Sequence, residues 1–283
     1  MRKVFRTVAS LGPRLAHDYG RADHIESYRD VLQRALRKGY RVGSMLDLAE
    51  MRGSPPADPW LILRHDVDVA PSVAERMLEV EQEVDVTSTF YFRITTASGP
   101  AFDKIVRSSA DIGYHYEELA TVAKLLGTRS PQDASELIPM ARELTALNIR
   151  SFADRCDRHI RHVSSHGDFA NTIIGITNTA IFDDAFRQRT NVEFEAYDEA
   201  INRPVSTRVA DQPDAMASVE RVLAAVEAES PVVYYLTHPR WWASSRTEAL
   251  TEDLYRVTDA IKFKRGSGNR RIANQSVHVG GKH

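Results

Sequence analysis

The stretch that decides the fold is WLILRHDVDV, residues 60–69. Its apolar first half runs into a polar, acid-rich end, which predicts a buried strand whose carboxyl end carries charged side chains. Pro71 then begins a predicted helix, because proline is well tolerated in the first turn of a helix. A buried strand followed directly by a helix indicates an α/β unit.

The carboxylates of Asp66 and Asp68 are the first polar feature of this stretch. Strand side chains alternate between the two faces, so both carboxylates should lie on the same face. Carboxylates that are held together repel each other, and a bound cation or a retained proton would relieve the repulsion. A structural alternative is that Asp68 caps the following helix while Asp66 pairs with an arginine.

The rest of the chain continues the alternation of strands and helices. Helices are predicted over residues 27–38, 71–85, 102–113, 131–147, 214–230 and 250–263. Strands are predicted over residues 87–94, 114–117 and 231–242, and residues 162–169 are a strand end or a loop. This alternation predicts a mostly parallel sheet with helices outside it, a fold whose functional sites gather at the carboxyl ends of the strands.

Composition narrows the class of protein. The chain has 283 residues, of which 42% are hydrophobic and 27% are charged, as is ordinary for a globular enzyme. The formal net charge of -2 favours neither nucleic acid nor an anionic membrane as a partner. Cys156 is the single cysteine, so an internal disulfide is excluded and an inert thiol is expected. Without a stretch typical of a membrane span or a signal peptide, we expect a cytoplasmic protein.

Three histidines lie near predicted strand ends: His115 in GYHYE, His166 in SSHGD and His238 in LTHP. Taken alone, each is more often a structural histidine than a ligand. Small residues flank His166, whereas the neighbouring His162 lies in a charged stretch. Asp and His together are suitable ligands for a divalent metal, and a further carboxylate and histidine can serve as general base and general acid.

These motifs occur in the order in which they occur in the NodB-like polysaccharide deacetylases (carbohydrate esterase family 4), and the chain resembles the branch whose first motif reads HDVD. The resemblance spans roughly residues 60–245. It implies a distorted (β/α) barrel of NodB-like type at 60–263. The residues outside the barrel indicate a helical arm and linker at 1–59 and a flexible tail at 264–283. It also implies the removal of N- or O-acyl groups, mostly acetyl from sugars, with a bound divalent metal that we expect to be zinc.

The resemblance implies a role for individual residues. Asp66 matches the general base, Asp68 and His115 match metal ligands, and His238 matches the histidine that protonates the leaving group. Asp211 resembles an acidic residue that orients other residues of the site in this branch.

The chain departs from the family's pattern at the third metal ligand. A second histidine usually follows the first by four residues, where this chain has Leu119. We expect His166 to substitute for it, with Glu117 as the alternative ligand. The family's arginine-containing motif is not clear either, and three arginines compete for it: Arg155, Arg158 and Arg161.

The resemblance implies a carbohydrate substrate. A cytoplasmic enzyme would act on a nucleotide-sugar or a lipid-linked precursor in surface polysaccharide biosynthesis, in preference to a finished polymer. Arg93, Trp241 and Trp242 are candidates for holding a sugar, although burial in the core is the commoner use of tryptophan. Two alternatives stay open: another amide hydrolase on the same scaffold, such as a deformylase, and a glycan-binding protein without activity. The retained acid and base favour an enzyme, whereas Leu119 favours the inactive protein.

Overall fold

The computed structural model describes residues 23–51, 56–130, 136–212 and 214–245, with the single positions 247, 248, 250, 251, 254, 258 and 263. Several predicted segments lie wholly or partly outside the described residues: the first part of the arm, the start of the helix at 131–147, most of the helix at 250–263 and the tail.

Strands and helices alternate along the described chain. The strands are β1 (Arg41–Gly43), β2 (Trp60–Val67), β3 (Thr89–Phe92), β4 (Asp111–Tyr116), β5 (His162–Ser165), β6 (Phe194–Glu195), β7 (Thr207–Ala210) and β8 (Val232–Thr237). The helices are α1 (Ile25–Arg37), α2 (Met45–Glu50), α3 (Pro71–Glu83), α4 (Pro100–Val106), α5 (Glu118–Leu126), α6 (Leu137–Cys156), α7 (Phe169–Ile174), α8 (Asp184–Thr190), α9 (Glu199–Asn202) and α10 (Ala215–Glu227). Short 3₁₀ helices cover Asn178–Ile181 and Pro239–Trp241.

All strand pairings in the sheet are parallel, in the order β6-β5-β4-β3-β2-β8-β7. Strand β2 is central: it pairs with β8 on one side, and on the other side with β1 at its start and β3 at its end. The predicted α/β fold, a distorted (β/α) barrel with mostly parallel strands, is therefore confirmed. Helix α1 packs outside this sheet against α3 and α10. In the described part of the chain, no helix combines the length and the apolar composition that crossing a membrane requires.

Two predicted helices end several residues away from where the sequence placed their ends. The helix expected at 102–113 ends at Val106, because residues from Asp111 onward already belong to β4. Gly113 lies inside that strand, where a Cβ atom would stand 2.2 Å from the ring of Tyr91 and 2.7 Å from His162 Nδ1. This glycine therefore allows close packing within the barrel and does not end a helix. The helix expected to end near residue 147 continues as α6 to Cys156.

The two faces of the sheet bury different kinds of side chain. Apolar clusters on the outer face join the strands to the helices, and Leu119 is fully buried in one of them. On the inner face, Met45 of α2 packs with Ile62 and Tyr234 at the amino end of the barrel. The polar side chains of β2, β4 and β5 gather toward the carboxyl end. Burial raises the pKa of Cys156 to about 12, which agrees with an inert thiol.

A buried polar network lies on the outer face of β2. His65 Nε2 donates to Glu81 Oε1 of α3 at 2.7 Å, and Tyr28 of α1 donates to the same oxygen at 2.6 Å. Ser88 donates to the other Glu81 oxygen at 2.7 Å, and His65 Nδ1 lies 2.5 Å from Thr237 Oγ1. The network joins two helices to β2 and β8 without leaving the Glu81 carboxylate unpaired in the core.

Candidate metal centre

Asp68, His115 and His166 lie together at the carboxyl end of the barrel. Each offers one ligand atom, and these atoms all lie within 4.8 Å of one another. Asp68 Oδ1 is 3.2 Å from His115 Nε2 and 3.3 Å from His166 Nε2. The three residues follow or end β2, β4 and β5, whose carboxyl ends meet at one edge because the strands are parallel. The structure thus brings together the three residues that the sequence nominated.

The donor atoms of this cluster suit a divalent cation. His115 Nδ1 donates to the carbonyl of Ser164 at 2.9 Å, and His166 Nδ1 donates to Glu117 at 3.1 Å. Each imidazole therefore keeps Nε2 for the centre, the arrangement that a metal-binding histidine requires. Asp68 Oδ1 is buried and accepts no hydrogen bond from the described residues. Two imidazole nitrogens and a carboxylate oxygen are a donor set suited to zinc.

The charged groups of the cluster shift one another's pKa values. Burial lowers the pKa of His166, but the carboxylates of Asp68 and Glu117 outweigh burial and raise it to about 10. Burial likewise disfavours a charged Asp68, yet His166 and His115 hold the pKa of that carboxyl well below its usual range. The imidazoles and the carboxylates of the cluster therefore stabilise one another's charged forms.

Glu117 fixes the His166 imidazole and lies outside the group formed by Asp68, His115 and His166. Its carboxylate accepts from His166 and is held by Arg93, whose Nη2 and Nε lie 2.6 and 3.1 Å from Glu117 Oε1. Arg93 also donates to the backbone carbonyl of Asp68 at 3.3 Å and is only 5% exposed. The structure thus places Arg93, predicted to hold a sugar, behind the centre, where it fixes Glu117.

Asp66 is held by an arginine from its own strand. Arg64 donates from Nε and Nη2 to the two Asp66 oxygens, both at 2.7 Å. Its guanidinium is fully buried and also donates to Tyr234 Oη at 2.9 Å and to Ser164. Burial alone would raise the pKa of Asp66, but the Arg64 charge lowers it below the ordinary value. Asp66 Oδ2 lies 3.6 Å from His115 Nε2, so this carboxylate borders the cluster.

The three arginines that compete for the family's arginine-containing motif make contacts elsewhere in the fold. Arg155 donates to the backbone carbonyls of Ile94 and Ala97, and Arg158 donates to that of Val106. Arg161 forms an exposed ion pair with Glu193. The sequence did contain a signal for Arg64, since a residue two positions before Asp66 in a strand faces the same way.

His238 is fixed by Asp211, the residue expected to orient the site. His238 Nδ1 donates to Asp211 Oδ1 at 2.8 Å, and the His238 backbone N–H donates to Oδ2 at 2.6 Å. Burial lowers the pKa of His238, but the Asp211 carboxylate outweighs it and raises the pKa to about 9. The imidazole is therefore cationic at neutral pH, with its Nε2–H directed away from Asp211.

The two tryptophans after His238 occupy different environments. Trp242 is fully buried, donates from Nε1 to Asp211 at 3.0 Å and packs edge-on against Tyr28. Its ring cannot stack on a sugar, which corrects the expectation for this residue. Trp241 is partly exposed and remains a candidate contact.

Two further residues, His162 and Tyr197, were given no role in the site from the sequence. His162 is buried, stacks on Phe194 and donates to Asp111 at 2.9 Å, so its contacts serve the packing of the barrel. Tyr197 was not singled out, although it is 46% exposed and lies against Arg64. A tyrosine in a segment without clear periodicity gives no signal of its place in the fold.

Comparisons with known proteins give likenesses of structure. No protein-family model matches the chain, and no curated protein matches it in sequence. A CE4 esterase from Streptococcus mutans is 14% identical over 80% of this chain and 89% of that chain, with a TM-score of 0.45. A CE4 family pseudoenzyme from Bacillus anthracis is 14% identical over 72% of this chain and 60% of that chain, with a TM-score of 0.37.

The peptidoglycan deacetylase PdaC from Bacillus subtilis is 8% identical over 72% of this chain and 95% of that chain, with a TM-score of 0.30. The chain spans about three fifths of the length of the B. anthracis pseudoenzyme. These are likenesses of fold, to the class of protein that the sequence motifs resemble, and no activity follows from them.

Proposed function

We propose that the chain is a metal-dependent hydrolase that removes an N- or O-acyl group, acetyl in the first instance, from a carbohydrate. The observation that carries the proposal is the convergence of Asp68, His115 and His166 around a buried carboxylate oxygen that accepts no hydrogen bond from the described residues. Zinc is the expected ion, because imidazole and carboxylate ligands in this ratio suit it. The Asp66 carboxylate borders the cluster, and the charges of Asp66 and Asp68 act on His238, so a base and an acid for acyl transfer to water are available.

The side chains around the centre divide the work of proton transfer. When bound, a divalent cation supplies Lewis acidity toward an acyl carbonyl. Arg64 keeps Asp66 ionised, so Asp66 can accept the proton of an attacking water molecule. Asp211 keeps His238 protonated, so His238 can donate a proton to the departing amine or alkoxide. Leu119, buried on the outer face, has no part in this arrangement.

The experiment has two readouts on one preparation of the full chain. Metal content is measured after purification and after zinc loading, and a panel of N-acetylated, O-acetylated and N-formylated sugars is assayed for released acetate and formate. We expect about one zinc per chain and release of acetate that stops in Asp68→Ala. Asp154→Ala removes a carboxylate from the exposed face of α6 and serves as the matched control. Release of formate alone would point to a deformylase, and loaded protein without any release would overturn the proposal.

A further inference from the structure

The guanidinium of Arg64 is a fully buried charge whose partners come from several strands. Its Nε and Nη2 atoms hold the carboxylate of Asp66, and Nη1 donates to Tyr234 Oη at 2.9 Å. Nη2 also donates to the hydroxyl of Ser164. These three partners are at most 2% exposed. The hydrogen bonds that fix Asp66 are therefore made inside the barrel, away from water.

Tyr197 is the exposed residue in contact with this guanidinium. The guanidinium carbon lies 4.7 Å from the centroid of the Tyr197 ring, and the residue is 46% exposed. Tyr91, whose ring centroid lies 5.0 Å from the same carbon, is fully buried. Among the described residues that contact the guanidinium, Tyr197 alone faces solvent. Its ring therefore separates Arg64 from water.

The turn after β6 fixes the place of this ring. The buried carboxylate of Glu195 accepts the backbone N–H of Tyr197 at 2.6 Å and that of Ser165 at 2.7 Å. Asp198 Oδ2 accepts the backbone N–H of Glu195 at 2.8 Å, which closes the turn. Ser165 is the last residue of β5, so the turn is anchored to the sheet. The ring is thus held over the guanidinium by the backbone as well as by its own contact.

The ring of Tyr197 contributes more to this contact than its hydroxyl does. Nη2 of Arg64 carries two hydrogens, and Asp66 and Ser164 accept them. Tyr197 Oη lies 3.2 Å from Nη2 and can only share one of these hydrogens. The face of an aromatic ring attracts a cation most strongly where water is excluded. The ring is therefore the part of Tyr197 that stabilises the guanidinium.

The exclusion of water from Arg64 matters for the carboxylate that it holds. Opposite charges attract each other more strongly where the surroundings are less polar. Water that reached the guanidinium would compete for its N–H donors and would weaken its two hydrogen bonds to Asp66. An uncovered Arg64 would therefore orient Asp66 less firmly.

We propose that Tyr197 is a positioning residue of the site, whose ring excludes water from Arg64 and so holds Asp66 in place to accept a proton. This role rests on the proposed function, in which Asp66 takes the proton of the attacking water molecule. Tyr197 acts through Arg64 and needs no contact with the acyl group or with a metal. Loss of the ring should therefore lower kcat and leave KM and metal content unchanged.

The test measures turnover and the guanidinium on the same zinc-loaded full chain. Tyr197→Leu removes the ring, and Tyr197→Phe keeps the ring without the hydroxyl. From the energy of a desolvated cation–π contact, kcat should fall about five- to thirtyfold in Tyr197→Leu, and Tyr197→Phe should restore most of the loss. The Arg64 Nε–H donates to Asp66, so its exchange with solvent, followed by NMR, reports on the pair directly. This exchange should be faster in Tyr197→Leu than in the wild type or in Tyr197→Phe.

Trp60→Leu is the matched control. The guanidinium carbon of Arg41 lies 4.7 Å from the ring centroid of Trp60, the same separation as in the pair of Arg64 and Tyr197. Arg41 is exposed, and Trp60 begins β2 at the opposite end of the barrel. Loss of this ring should leave kcat and the exchange of the Arg64 Nε–H unchanged. Melting temperatures verify that each variant is folded.

Each outcome decides one of the two proposals. A wild-type kcat in Tyr197→Leu, or an unchanged exchange rate of the Arg64 Nε–H, would overturn the role of Tyr197. A raised KM with unchanged kcat would make Tyr197 a substrate contact, and equal losses in Tyr197→Phe and Tyr197→Leu would assign the effect to the hydroxyl; either result would also overturn the role. In a chain whose wild type releases no acyl group, exchange that depends on the ring would keep the contact with Arg64 and overturn the hydrolase.

Discussion

The carboxylate of Asp211 should control the protonation of His238, and Asp211→Asn tests this with little change of shape. In the wild type the pKa of His238 is raised to about 9 because Asp211 outweighs burial. Without that charge burial remains, and the pKa should fall to the ordinary value of ~6.5 or below. At pH 8 the protonated fraction would then fall about 30-fold, and turnover limited by this acid should fall by the same factor.

The pKa is read directly from the ring protons of His238 by NMR titration of chelator-treated protein, and turnover is followed between pH 5 and pH 10. Asp214→Asn is the matched control, because Asp214 caps α10 through the Ala217 N–H, a bond that asparagine can also accept. An unchanged pKa of His238 in Asp211→Asn would refute the reasoning, and so would an alkaline limb that does not move.

The same interaction predicts how stability depends on pH. Since the folded-state pKa of His238 lies above its unfolded value, its stabilisation is complete below pH ~6.5 and is lost as the pH rises through about 9. The shift corresponds to a contribution on the order of 3 kcal/mol to the free energy of unfolding. The melting temperature of the metal-free wild type should fall as the pH rises over this window, and that of Asp211→Asn should change less.

Three further predictions concern the metal centre and its acid. Asp68→Ala should abolish metal retention while His162→Asn should not, because His162 lies away from the cluster; stoichiometric metal in Asp68→Ala, measured by mass spectrometry, would contradict the ligand assignment. Glu117→Gln should weaken metal binding about 10–100-fold, since an amide orients the His166 imidazole less strongly; competition with a chelator measures this, and unchanged affinity would exclude the orienting role. His238→Ala should retain metal and lose about 10²–10⁴-fold in turnover; near-normal turnover would remove His238 from the mechanism.

The convergence of the site residues was predictable because the fold is parallel. The apolar runs of β2 and β8 mark buried strands, and polar residues at their carboxyl ends must meet at one edge. Asp68 and His238 follow those two strands, and His166 follows β5 in the same way. The neighbouring glycine and serines favoured His166 over His162, and His166 is the one that lies beside Asp68 and His115.

The partners of these residues were less predictable, because they depend on tertiary contacts. For Arg64, the sequence pattern offers only Asp66, two positions further along the same strand, as a partner. Its contact with Tyr234 joins two strands that are far apart in the sequence, so the sequence does not reveal it. Trp242 had two interpretations, and only the position of Asp211 beneath the indole N–H decides between them. Gly113 likewise resembles a helix stop until the rings on the neighbouring strands are placed.

The charged pairs on the two faces of β2 have a consequence for strand register. Arg64 and Asp66 point inward while His65 points outward to Glu81, so adjacent residues satisfy opposite faces of the sheet. A slip of one position would turn Arg64 and Asp66 into the outer core, away from Tyr234 and Ser164, and would bring His65 inside, away from Glu81. The buried Arg64–Asp66 pair and the Glu81 carboxylate would then lose polar partners on both faces of the sheet. Contacts on both faces of β2 therefore disfavour any other register. The strand thereby places Asp68 at the carboxyl end of the barrel without the help of a metal.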